Sequence, residues 1–126
     1  MKPLLLSILL LSLLIAICFY AAFSVSNVIN ETEWFLNQSV AHQKNGDRRN
    51  AASFTERAIS CWEENETLLG MIIRHDAVDD VEREFAGLKA YAHSDDEDDF
   101  FSTSAKLLSA LHHIRDMEWP FLRNLF

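Results

Sequence analysis

No proline stands between Pro3 and Pro120, and the chain of 126 residues holds only three glycines, Gly46, Gly70 and Gly87. So few backbone breakers argue against a turn-dense sheet protein and favour long helices. Cysteine is almost as scarce. Cys18 lies in an apolar stretch and Cys61 is far from it, which excludes a disulfide scaffold. Lys2 is the one ionised side chain before Glu31, and residues 31–126 carry 10 Lys and Arg against 19 Asp and Glu. An acidic surface of that kind argues against nucleic acid as a partner, because a polyanion needs a basic face to displace its counterions.

The abundant feature is a run of apolar side chains, 18 of the 20 positions from 4 to 23. A signal-peptide core is about 7–15 residues long. A helix of about 20 residues, at about 1.5 Å each, crosses a hydrocarbon layer about 30 Å thick, and residues 4–23 match that length. Ser7 and Ser12 do not break the span, since a helical serine can return its hydroxyl to the preceding turn. The expectation is a retained signal anchor over residues 1–23 and an extracytoplasmic domain over residues 24–126. The alternative is secretion after cleavage, because Ala22-Phe23-Ser24 and Ser24-Val25-Ser26 each place small residues two apart. Ile17 is too large to precede a lipidated Cys18. Lys2 places the amino terminus in the cytoplasm by the positive-inside rule, with the acidic remainder outside.

Val25, Val28, Ile29, Thr32, Phe35, Leu36 and Val40 recur at three- and four-residue steps, so the membrane helix is expected to continue to about Lys44. Asn45-Gly46-Asp47 reads as a turn, with Asp47 capping a second helix. That helix carries an apolar stripe of Ala51, Phe54, Ala58, Cys61, Trp62, Asn65, Leu68, Leu69, Ile72 and Ile73. Gly70 within it would let another helix approach. Asp76 with Asp79 resembles an acidic capping box for a third helix, whose inward positions are Val78, Val81, Phe85, Leu88 and Ala92. Ser94 with Glu97 makes a second such pair, and the acids from Asp95 to Asp99 suit a helix start, where the peptide dipole favours negative charge. The fourth helix is expected to bury Phe101, Ala105, Leu108, Leu111, His112 and Ile114. No tetratricopeptide-like repeat emerges. The fold class is all-α, an amino-terminal transmembrane helix continuing into a small antiparallel bundle of about four helices.

Candidate chemistry is sparse. His75 with Asp79, and His112 with Asp116, are four residues apart on a helix face and could in principle hold a divalent metal. Neither pair supplies three ligands, and an ion pair or a cap explains each as well. Asp95-Asp96-Glu97-Asp98-Asp99 lacks the glycine and the distal glutamate of an EF-hand loop, since Phe100 and Lys106 hold those places. Cys61, beside Trp62 on the apolar stripe, reads as an inert core thiol. There is no nucleophile-elbow motif and no phosphate-cradling loop, so an enzyme is not expected. Asn30, Asn37 and Asn65 open formal glycosylation sequons, which matter only in a eukaryotic secretory pathway. The closing stretch, Trp119-Pro120-Phe121-Leu122-Arg123-Asn124-Leu125-Phe126, carries large apolar groups that need cover. They either pack across the bundle or dock on a partner or the outer leaflet.

The amino-terminal span, Trp62, the turn His75-Asp76-Ala77-Val78-Asp79-Asp80-Val81-Glu82, Leu88 with Tyr91, the helix reaching His113-Ile114, and the Pro120–Phe126 ending together resemble domain-of-unknown-function family 4363. The resemblance covers nearly the whole chain. It implies a small, single-span, membrane-tethered helical protein of bacteria, mainly Firmicutes, whose activity is uncharacterised, and it brings no catalytic residues or cofactors. The leading expectation is an interaction or accessory subunit of the bacterial envelope, contacting another membrane protein or a copy of itself. Trp62, Trp119, Phe121, Leu125 and Phe126 would complete the core or dock, while His75, Asp76 and Asp79 would fix an inter-helix turn. The second expectation is a metal- or small-ligand-binding sensor, which requires His75, Asp79, His112 and Asp116 to converge.

Overall fold

A computed structural model describes residues 1–92 and 96–125, without the side chains of Ala92 and of residues 118–125. Scarcity of breakers has the expected result: the described residues form five helices and no strand. These are α1 (Lys2–Lys44), α2 (Arg48–Glu64), α3 (Glu66–Ile72), α4 (His75–Ala92) and α5 (Glu97–Leu125).

Pro3 falls in the first turn of α1, where its missing N–H costs nothing. Ser7 donates its hydroxyl to the Pro3 carbonyl at 2.9 Å. From there α1 runs 43 residues without a break. Its first half exposes every large apolar side chain, and its second half turns Val25, Ile29, Leu36 and Ser39 inward. The helix ends where Gly46 takes φ +78°, a left-handed conformation that other residues rarely adopt. Asp47 then caps α2, accepting from the Asn50 amide at 3.3 Å.

Antiparallel packing of α2 on α1 is fixed by small polar residues. Ser39 donates to the Ala51 carbonyl at 2.8 Å and its oxygen lies 2.6 Å from the Thr55 hydroxyl, with all three residues buried. The expected six-turn second helix is in fact two. Asn65 breaks it by turning its side-chain amide back to the Cys61 carbonyl at 2.8 Å, while its backbone N–H bonds to Trp62. This local bond competes with the regular helix ladder, as is usual for Asn. Phe54, Asn65 and Leu68 are accordingly only half-buried and Ile72 is exposed. Among the described residues nothing lies within 4 Å of where a side chain would stand on Gly70, so none of them packs closely there.

The capping residues of the next two helices also differ from expectation. Asp76 sits inside the first turn of α4 and accepts from the Ala77 amide at 3.0 Å, while the Val78 amide bonds to the Arg74 carbonyl. α5 starts from Asp96, whose carboxylate accepts from the Asp99 amide at 3.2 Å; Ser94 lies outside the described residues. Glu97, Asp98 and Asp99 do occupy its first turn. On α4, Val78, Val81, Phe85 and Leu88 face inward as expected, and the Ala92 side chain lies outside the described residues.

The buried face of α5 is Phe100, Thr103, Ser104, Leu107, Leu111 and Ile114. Of the expected set, Leu111 and Ile114 are buried, Phe101 and Leu108 half-buried, and Ala105 and His112 exposed. The true seam passes through two small polar residues, which conceal it from a search for apolar periodicity. They lie there because α4 and α5 pack closely, with the Thr103 methyl 3.7 Å from the position of a Cβ on Gly87. One core results, centred on Trp62, Leu69, Val81, Leu88, Phe100, Leu107 and Leu111, each almost or completely buried. Each such aliphatic or aromatic side chain contributes about 1.5–3 kcal/mol.

Candidate functional site

The feature with the clearest physical consequence is α1 itself. Tyr20 and Phe23 remain exposed, while Val25, only two residues on, is fully buried. Exposure thus changes sharply within one helical turn. Below that level the helix presents an all-round apolar surface, long and apolar enough to cross a membrane. Above it, the same helix is a wall of the bundle, so the two parts share one continuous backbone.

A polar tie holds α5 against this wall. Arg115 donates through Nη2 to Asn30 Oδ1 at 2.6 Å and to Glu33 Oε2 at 2.5 Å. His112 Nδ1 stands 3.7 Å from the other Glu33 oxygen. Sequence reasoning missed this tie. Its signal was Glu33, an acid four residues beyond Ile29 and three before Leu36 on an otherwise apolar stripe.

His75, Asp79 and Asp116 are exposed, and the His112 imidazole faces Glu33 of α1 rather than α4. Among the described residues no three His, Cys, Asp or Glu side chains are grouped to hold a metal ion. The four residues of the proposed sensor therefore do not form a shared site. His75 opens α4, Asp76 accepts from the Ala77 amide within its first turn and Asp79 follows on the same helix, so all three lie in α4 rather than in the connection before it.

Trp62 is buried at the centre of the core, its ring 6.0 Å from that of Phe85. It also forms the floor of a shallow groove of about 410 Å³ between α2 and α4, rimmed by Glu63, Glu66, Glu82 and Lys89. Partial burial, followed by the charge of Glu66, raises the pKa of the Glu82 carboxyl. Cys61 is buried as expected, and loss of solvation raises the pKa of its thiol, which suits an unreactive group. On the outer face of α1 and α2, Trp34 meets Phe35 and Phe54 edge-on, and Arg57 sits over the Phe54 ring at 5.4 Å. The backbone of α5 stays helical to Leu125; the side chains of Trp119, Phe121 and Leu125, and all of Phe126, lie outside the described residues.

The molecule is thus a helical bundle built onto a long apolar helix. The model of one protein family, Domain of unknown function (DUF4363), matches residues 19–125, and the chain belongs to that family. No curated protein and no solved structure matches it significantly.

Proposed function

We propose that this chain is a single-pass, non-enzymatic membrane protein of the bacterial envelope that holds a helical interaction domain at a set height and orientation outside the bilayer. The observation that carries the reading is the continuity of α1 through anchor and bundle. A flexible linker would let a tethered domain wander over tens of ångströms. A shared helix fixes its height and facing, as an accessory subunit meeting a neighbouring membrane protein or a second copy of itself requires. The helix also passes unbroken through Ala22-Phe23-Ser24, which supports retention of the anchor. Lys2, alone before the span, supports a cytoplasmic amino terminus.

The test has two parts. The protein is expected to stay in carbonate-washed membranes, with the bundle digested by protease added from outside intact cells. Cross-linking in membranes, followed by detergent solubilisation, is then compared with and without residues 119–126. A specific complex lost on truncation, with helicity retained, supports docking through the tail. An unfolded truncation with unchanged partners would reduce the tail to core.

A further inference from the structure

We propose that the carboxyl-terminal end of α3, through Met71 and Ile72, inserts into the headgroup region of the same bilayer that residues 4–23 cross, giving the bundle a second lipid contact beside its anchor. This rests on the membrane-anchor reading above.

Helix register sets the height of Met71. Ser39 and Thr55 are level, their hydroxyl oxygens 2.6 Å apart. Sixteen residues lead down α1 from Ser39 to Phe23, and sixteen lead down α2 and α3 from Thr55 to Met71. At the helical rise, each path is about 24 Å long. Val25 and Leu69, fourteen steps along the same two paths, are both completely buried in one core, and α3 packs against α1 beyond the break at Asn65. Met71 therefore lies level with Phe23, at the end of the apolar surface of α1.

Exposure agrees with that placement. Met71 is 74% exposed and Ile72 37%, whereas Ile73 beside them is 7% exposed and belongs to the core. Tyr20 and Phe23 are 73% and 67% exposed on the neighbouring stretch of α1. Aromatic rings at this position relative to a span characteristically lie at the membrane–water boundary. Apolar side chains held at that height meet lipid without any further partner being needed.

The chemistry of the contact follows from its neighbours. Arg74 is paired with Asp76 at 3.2 Å, and Asp79 and Asp80 follow within two turns, so the α3–α4 turn offers no basic patch to anionic headgroups. Insertion is apolar, and zwitterionic lipid suffices.

The experiment uses the full chain in phosphatidylcholine vesicles, with p-benzoylphenylalanine replacing in turn Met71, Leu10 or Ser60, all exposed positions. Ser60 is eleven residues up the α2–α3 path from Met71, about 16 Å higher. After irradiation, mass spectrometry is expected to find lipid adducts at Leu10 and Met71 and none at Ser60. Adducts at Leu10 without any at Met71, attachment of Met71 to protein, or equal adducts at Ser60 and Met71 would each overturn the inference while leaving the anchor standing. No lipid adduct at Leu10 would remove the anchor reading, and this inference with it.

Discussion

Ser39 of α1 and Thr55 of α2 place their hydroxyls 2.6 Å apart in the interior, and both also reach the Ala51 carbonyl, at 2.8 and 2.9 Å. Two helices whose facing surfaces were purely apolar could slide by a turn at little cost. A buried hydroxyl pair cannot, because a slipped register leaves polar groups without partners. Ser39→Ala is therefore expected to lower stability by about 1 kcal/mol, since Thr55 still serves the Ala51 carbonyl. Ser39→Leu, which forces the helices apart, should cost about 1–3 kcal/mol. Chemical denaturation in detergent micelles, followed by circular dichroism, checks both.

Arg115 and Glu33 are the main polar tie between α5 and α1, with side chains only 23% and 15% exposed. Arg115→Ala leaves the Glu33 carboxylate half-enclosed without its guanidinium and is expected to cost about 2 kcal/mol. Glu33→Gln keeps an acceptor oxygen for Arg115 and should cost less. If the two variants melt alike, the charge on Glu33 rather than the bond to Asn30 holds α5 in place.

Trp62 is the largest fully buried side chain, yet its indole N–H has no hydrogen-bond partner among the described residues. Trp62→Ala should remove about 3–5 kcal/mol through lost burial and the cavity left behind. Trp62→Phe loses a donor that contributes no bond, so its cost should be well below that of alanine. Equilibrium unfolding of the two variants side by side tests the comparison.

Acid should first stabilise and then destabilise the fold. Burial and the nearby Glu66 raise the pKa of Glu82, and the hydrogen bond to Asp96 raises that of Asp99. Each contributes stability while protonated, and loses it as pH rises through the folded-state pKa. Asp47 is the opposite case: its bonds to the Asn50 side chain and amide lower its pKa, so its contribution is present above its unfolded value and lost as pH falls through the folded one. The melting temperature should rise between pH 7 and about 4.5, helped by reduced self-repulsion of an acidic chain, and fall below about pH 3.9. Glu82→Gln should melt higher than the parent at pH 7 and show a smaller rise on acidification.

Cys61 should resist alkylation by maleimide in the folded protein and react fully once denatured, since the thiol is buried and desolvation disfavours its thiolate. Labelling at rising denaturant should follow the unfolding curve measured by circular dichroism. Labelling ahead of that curve would reveal local opening of the α1–α2 contact.

Periodicity and composition were enough for much of this molecule. The apolar run at residues 4–23, the stripe from Val25 to Val40, the Asn45-Gly46-Asp47 turn and the core side of α4 all follow from chain-local chemistry: uninterrupted helix formers, one left-handed glycine, one capping carboxylate. The family was legible as well, because its markers are spread along the whole chain. The tertiary structure decided the features that depend on what lies opposite. Thr103 and Ser104, polar in the sequence, face inward because α4 approaches closely at Gly87; His112, taken for an inward residue, faces solvent beside Glu33. Arg115 finds Asn30 and Glu33 more than eighty residues away, and Ser39 meets Thr55 across the α1–α2 seam. Sequence determines which residues one helix turn can bring together, because hydrogen bonds four residues apart fix that geometry. Contacts between helices depend on the depth and register of packing, set by shape and buried polar pairs that no single helix contains.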